Sequence, residues 1–213
     1  MGALTVMEKC LIVGGGEVEN LNWLNFLSKQ YDYVIAADSG YTTLKEANVN
    51  IDVAIGDFDS LGFIPDDVEV IGLQVEKDDT DTISAVRYAL DNCARVITLV
   101  GGIGGRLDHT IANLQTLGFI ASKGAIGKLV DEDNEVIGIL PGEYQFSNRK
   151  GYSLSVFAVT DDVTGLCERG VKYPLKDAIL TNKFPLGVSN EITGDNADIS
   201  FESGILLVCF SRL

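Results

Sequence analysis

Two carboxylates one residue apart, Asp57 and Asp59 in GDFDS (56–60), follow the apolar run VAI with no thiol or histidine beside them. Acids at the carboxyl end of a buried strand stand where ligands bind in open α/β sheets. In an extended segment, positions 57 and 59 point the same way. Paired hard oxygen donors suit Mg²⁺, which takes one or two carboxylates and fills its other positions with water and substrate phosphates. From 52 to 81 the chain carries eight Asp and two Glu against one basic residue, Lys77. Two like charges about 4 Å apart cost on the order of 4 kcal/mol at an effective dielectric near 20, so acids gathered in a cleft must protonate, disperse or hold a cation. Dispersal into water fits Asp66 and Asp67 well and Asp57 and Asp59 less well. A turn with solvated acids is the competing reading of so short a motif.

Three further stretches carry chemistry. EKDDTD (76–81) leads Asp78, Thr80 and Asp81 into a helix. Thr80 or Asp79 can cap that helix and Asp81 can complement its positive end, and a capping residue can also face a ligand. GGIGGRLDH (101–109) joins a buried strand to another helix. Its glycines, Gly101 and Gly102 first, let backbone approach a ligand, and the helix N-terminus draws anions. Arg106 adds a forked phosphate donor, and Asp108 either orients it or joins a metal shell. His109 is the only histidine, so a catalytic triad or a histidine zinc site has no support. It either bonds locally or joins the ligand-binding groups. ADSG (37–40) brings Asp38 to the same sheet edge, as a ligand group or as a turn cap. Neither a Walker loop nor a GxGxxG fingerprint is present.

The elements that must position these residues alternate. Short β-type runs (CLIVGG, YVIAAD, DVAIGDFDS, RVITLVGG) are separated by helical patterns (LNWLNFLSK, YTTLKEAN, TDTISAVRYALDN, DHTIANLQTLGFIAS). This order predicts a parallel sheet covered by helices. Spacings of three and four predict buried stripes through Ile83, Val86, Leu90 and Cys93, and through Ile111, Leu114, Leu117 and Ile120. Beyond Lys123 the rhythm changes: SLSVFAV alternates with period two, and ISFESGILLVCF reads as two strands joined by a turn at Glu202, Ser203 and Gly204. The expected fold is therefore a parallel-sheet, Rossmann-like α/β domain over residues 1–123, followed by a small antiparallel β domain over 124–213.

Composition excludes other classes. The formal net charge of −15 opposes nucleic-acid binding, which needs clustered Lys and Arg; it either suits a metal ion or a cationic small molecule or serves only to keep the protein soluble. No apolar run is long enough to span a bilayer, and no basic region precedes the first apolar run, so a cytoplasmic protein without a signal peptide is expected. Met7 is an alternative initiator. Cys10, Cys93, Cys167 and Cys209 are widely spaced in apolar surroundings, and are expected to be reduced, buried thiols.

Taken together, ADSG, GDFDS, KDDTD and GGRLDH, followed by VKYPL (171–175) and SNEIT (189–193), resemble the bacterial thiamin pyrophosphokinase family over nearly the whole chain. The resemblance implies an ATP- and Mg²⁺-binding α/β domain, a β-sandwich that binds thiamin and dimerises, and a homodimer with active sites at the subunit interface. It further implies transfer of the ATP diphosphate to thiamin, giving thiamin diphosphate and AMP. Carried over, Asp57, Asp59 and Asp81 match acids associated with the metal. Lys77, Thr80, Gly101, Gly102, Arg106, Asp108 and His109 match the nucleotide side, with Arg106 and Asp108 also in the catalytic set. Asp38, Ser189 and Asn190 match the thiamin side. Some members carry Gln where Lys77 stands, and some stack the vitamin on a C-terminal Trp, whereas the sole Trp here is Trp23. A DxD phosphatase of haloacid dehalogenase type, a noncatalytic nucleotide or thiamin sensor and, more distantly, a DxD glycosyltransferase are the alternatives.

Overall fold

The computed structural model describes residues 7–73 and 80–213. The chain divides into two compact units, the first running to Thr116 and taking in Gly127–Glu132, the second comprising Leu117–Ile126 and Asp133–Leu213.

The first unit follows the predicted alternation, with β4 and β6 added to it: β1 (Lys9–Val13), α1 (Leu21–Ser28), β2 (Tyr33–Ala37), α2 (Gly40–Glu46), β3 (Val53–Gly56), β4 (Glu69–Gly72), α3 (Asp81–Asp91), β5 (Val96–Val100), the start of α4 (Leu107–Ser122) and β6 (Ile126–Val130). Its strands lie in the order β6-β5-β1-β2-β3-β4. The β1–β2, β1–β5, β2–β3 and β3–β4 pairs are all parallel. Nearly every residue of β1, β2, β3 and β5 is buried, as expected of strands covered on both faces. The order reverses between β1 and β5, so their carboxyl ends flank a switch point of the kind at which open sheets bind ligands.

The helical stripes differ from expectation. In α3 the buried residues are Ala85, Val86 and Ala89. Small alanines let the helix sit close on β1, β2 and β3, which turns Ile83 and Leu90 part-way out. Cys93 lies beyond the helix end at φ 65° and is exposed; Cys167 and Cys209 are half-buried, and only Cys10 is the buried thiol expected. In α4, Leu117 and Ile120 are buried as predicted, but Ile111 is 49% exposed and Asn113 and Thr116 take the inner face.

The second unit contains β7 (Asn134–Ile139), β8 (Gly142–Ser147), β9 (Tyr152–Ala158), β10 (Asp162–Arg169), β11 (Ala178–Thr181), β12 (Asn190–Glu191), β13 (Asn196–Phe201) and β14 (Leu206–Arg212). Antiparallel pairing gives two layers, β12-β9-β14-β7 and β11-β10-β13-β8. One core joins Leu154, Val156, Val208 and Phe210 of the first layer to Leu166, Leu180, Ile199 and Phe201 of the second. The turn at Glu202, Ser203 and Gly204 does not close a hairpin: β13 pairs with β8 and β10, whereas β14 pairs with β7 and β9. Both strands alternate as read, but the short connection carries the chain from one layer to the other.

One buried acid sits inside this sandwich. Glu168 on β10 is 1% exposed, and burial pushes its carboxyl up to about 7, against the opposing effect of a hydrogen bond from Asn190. A folded-state value raised above the usual 4.5 means that the contribution is fully present below about pH 4.5 and lost as pH rises through about 7. Replacing Glu168 with Gln removes that titration. Denaturant unfolding at pH 5 and pH 8 is expected to show the wild type losing on the order of 1–3 kcal/mol more than E168Q across the interval. Equal losses in the two proteins would contradict it.

Candidate functional site

The carboxyl edge of the first unit's sheet is built from four loops. After β1, Gly14 N–H donates to Val100 O at 2.9 Å and Gly16 N–H to Gly101 O at 3.0 Å, so the glycine loops of β1 and β5 interlock at the switch point. A Cβ on Gly16 would stand 2.1 Å from Gly101 O, a separation no side chain tolerates. Gly101 itself takes φ 71°, in the left-handed region that favours glycine. Asn113 of α4 donates to Gly102 O at 3.1 Å and fixes the second loop from the helix side. Nothing in the spacing marks Asn113 out, because an Asn on a helix face reads as solvated.

After β2 and β3 come the acids. Asp38, Asp57 and Asp59 each present a carboxylate oxygen within 4.8 Å of the other two. The extended-segment rationale for residues 57 and 59 does not hold, since β3 ends at Gly56 and Phe58 takes φ 58°. A turn does the work instead: Asp59 N–H donates to Asp57 Oδ1 at 3.2 Å, while the Phe58 ring is 3% exposed and anchored in the core. Asp38 is likewise in the left-handed region, at φ 48°, with its N–H on Ile55 O at 2.9 Å. Gly56 makes this possible, because a Cβ there would meet Asp38 Cα at 3.1 Å. Two costly backbone conformations held by a core ring and a bare glycine indicate a built arrangement.

The donor set fits a hard divalent cation. Asp38 Oδ1 is buried and has no hydrogen-bond partner among the described residues. An orphaned carboxylate oxygen beside two further carboxylates is expensive unless positive charge is supplied. Oxygens sharing one Mg²⁺ at roughly 2.1 Å lie no more than about 4.2 Å apart, so small side-chain rotations bring this trio into range. Asp81 is not in the trio. It occupies the first turn of α3, whose start lies beside the β1 loop, with Thr82 Oγ1 3.6 Å from the position of a Cβ on Gly14. Thr80 caps that helix by accepting from Ile83 N–H at 3.3 Å, as its sequence position allows. Lys77, Asp78 and Asp79 lie outside the described residues.

Arg106 and Asp108 meet at the start of α4. Both guanidinium nitrogens Nε and Nη2 donate to the Asp108 carboxylate, at 3.1 and 2.5 Å. The paired guanidinium holds Asp108 below the usual carboxylate range, helped by the backbone N–H of His109 at 3.0 Å. Both side chains are largely exposed. His109 is exposed and makes this bond through its main chain. Asp67 departs from the solvated reading: although exposed, it accepts from the Tyr41 hydroxyl at 2.7 Å and Lys45 Nζ at 2.6 Å, tying the loop after Asp59 to α2. Tyr41 and Lys45 on α2 give no sequence signal for this bond.

Ser189 and Asn190 belong to the second unit. Ser189 is exposed at φ 57°, and its N–H donates to Ser155 Oγ at 2.9 Å. Asn190 is 4% exposed. Close to it in the fold is Tyr173 of VKYPL, with its backbone N–H on Asn190 Oδ1 at 3.0 Å and its ring 66% exposed. In a chain whose sole Trp lies in α1, Tyr173 is an aromatic surface that the motif order alone did not single out.

Known proteins match this chain along most of its length. The family model described as thiamin pyrophosphokinase, catalytic domain, covers residues 24–126, and the vitamin B1 binding domain model covers 143–206. Thiamine pyrophosphokinase of Bacillus subtilis is 31% identical over 210 residues, spanning 95% of this chain and 98% of that protein. The crystal structure of the Bacillus subtilis enzyme aligns with TM-score 0.84 and 28% identity, covering 96% of this chain and 99% of that one. Thiamin pyrophosphokinase from Geobacillus thermodenitrificans aligns with TM-score 0.81 and 30% identity, covering 96% and 97%. The enzyme from Candida albicans, at 15% identity and TM-score 0.78, shares the fold. With both domain models matched and a full-length relative at this identity, the chain belongs to the thiamin pyrophosphokinase family of diphosphate-transferring enzymes.

Proposed function

We propose that this chain transfers the β,γ-diphosphate of ATP to the hydroxyethyl oxygen of thiamin, with Mg²⁺ as cofactor, and works as a homodimer with active sites at the subunit interface. Residues 1–123 would supply the nucleotide side, and 124–213 the thiamin and dimer contacts. The observation that carries the reading is the trio Asp38, Asp57 and Asp59, with the orphaned Asp38 oxygen, in a chain of this family. The phosphatase and sensor alternatives have no comparable support.

The three carboxylates would hold Mg²⁺, and Asp81 at the start of α3 is the candidate fourth acid. Bound there, the ion would neutralise the charge of the polyphosphate. Thr80, Gly101, Gly102, His109 and Lys77 are assigned to the nucleotide. Arg106 would turn at least one N–H from Asp108 to a phosphate oxygen, a change its exposure leaves open. The hydroxyethyl oxygen forms its bond to the β-phosphorus while the bond from that phosphorus to the bridging oxygen breaks, and AMP leaves with that oxygen. The hydroxyl proton passes to a carboxylate, Asp81 or Asp108. Ser189 and the Tyr173 ring are assigned to thiamin, whose thiazolium cation the acidic surface attracts.

Incubation of purified protein with ATP, Mg²⁺ and thiamin should yield AMP and thiamin diphosphate in equal amounts by chromatography. ADP with thiamin monophosphate, or no product, would reject the reading.

Asp38→Asn, Asp57→Asn and Asp59→Asn are each expected to lower kcat by about 100-fold or more and raise the Mg²⁺ needed for half-maximal rate. Without Mg²⁺ their thermal midpoints should not fall, because each substitution relieves like-charge repulsion. A D38N enzyme with the wild-type Mg²⁺ requirement would remove Asp38 from the metal set.

A further inference from the structure

Asn190 has no hydrogen-bonding capacity left for a ligand. Its amide Nδ2 donates to Glu168 Oε2 at 3.1 Å and to Tyr173 O at 2.9 Å. Its Oδ1 accepts from Tyr173 N–H at 3.0 Å and Glu191 N–H at 3.1 Å. An Asn side chain offers two donors and two acceptor positions, and all four are used inside the second unit. This side chain therefore joins VKYPL to SNEIT. Which way its amide faces is set by these groups together: the Tyr173 and Glu191 N–H groups call for Oδ1, while Tyr173 O and the Glu168 carboxyl oxygen at 3.1 Å call for Nδ2.

Glu168 is placed to hold both segments. Its backbone N–H donates to Leu175 O at 3.0 Å, the far end of VKYPL, while its side chain holds Asn190. The same segments are stitched by Lys172 N–H to Glu191 O at 2.8 Å and by Thr193 N–H to Gly170 O at 3.0 Å. Glu168 Oε1 is buried with no partner among the described residues, and Gly187, at φ 80°, passes over it with its Cβ position 4.0 Å away. A side chain retained with one oxygen unsatisfied contributes less to stability than an apolar residue would, which separates its role from ordinary packing.

We infer that Glu168 is a positioning residue for the acceptor substrate: its buried carboxyl orients the Asn190 amide, and through it sets the Tyr173 ring and the Ser189 hydroxyl that face thiamin. The inference rests on the functional reading above for its substrate, but not for its geometry. Asn190 then acts through its neighbours and touches no ligand.

Two variants and two readouts test it. In Glu168→Leu, the Tyr173 and Glu191 amide protons should exchange with deuterium at least about tenfold faster in ligand-free protein, while the amides of β14 keep their wild-type protection. The KM for thiamin should rise about tenfold with the KM for ATP within about twofold of wild type. Glu168→Gln keeps an acceptor for Asn190 and should restore both readouts to within about threefold. Unchanged exchange at both amides in E168L, or E168Q behaving like E168L, would overturn the assignment. So would a parallel rise of both KM values with exchange accelerated throughout the unit, the mark of general destabilisation. Faster exchange at both amides with an unmoved thiamin KM would also overturn it, leaving Glu168 structural. If the wild-type protein transfers nothing to thiamin, the functional reading fails, and the exchange arm alone then decides whether Glu168 orients Asn190.

Discussion

Crowding of like charge at the ends of β2 and β3 governs the organisation of the first unit. Three carboxylate oxygens within 4.8 Å repel one another, and the buried Asp38 Oδ1 has no hydrogen-bond donor among the described residues. The chain holds them there by means that cost stability: two non-glycine residues at positive φ, a glycine at 56 where a Cβ would crowd Asp38, and a phenylalanine sunk in the core to hold the turn between the acids. Such strain persists only where surrounding structure over-determines it. The interlocked glycine loops of β1 and β5 and the Tyr41–Asp67–Lys45 network supply that surrounding rigidity on either side.

The second unit solves a different problem with the same currency of buried polarity. Its strands β11 and β12 are short, 4 and 2 residues, so their ladders are brief. Around β12 the Asn190 amide adds to the ladder by engaging two backbone groups of Tyr173 and one of Glu191. Saturated networks of this kind specify one arrangement, and a carboxyl with a spare oxygen at their root ties that arrangement to proton binding.

Much of this could be read from residue order, and the failures have physical causes. Apolar runs ending in acids or glycines located the strand ends, because a parallel strand buried on both faces leaves no other pattern. What linear order could not give was which strand ends are neighbours. Asp38 stands next to Asp57 because β2 and β3 pair in register, Ala37 opposite Ile55, and its place in the acidic trio follows from that pairing. The helix stripes slipped because alanine counts weakly in any hydrophobic pattern yet packs closest. Glu168 was hidden by a bulge: the β10 register shifts between Val163 and Leu166, after which period two turns Glu168 inward with Leu166. Asn190 stood out by motif, but its saturation depends on Tyr173, which lies seventeen residues away in sequence.

The crossing of the chain between layers at Glu202–Gly204 also orders events in time. β14, the last strand made, lies between β7 and β9 and pairs with both. Until it emerges, those two strands have no common neighbour and each presents an open edge. The strands of the first unit are complete by Val130, before any strand of the second unit has been made. Synthesis from the amino end therefore delivers a finished sheet edge with its acids in place well before the sandwich can close. During that interval the nascent chain already holds its three clustered carboxylates but has no settled SNEIT segment, so the acidic edge takes shape before the sandwich surface does.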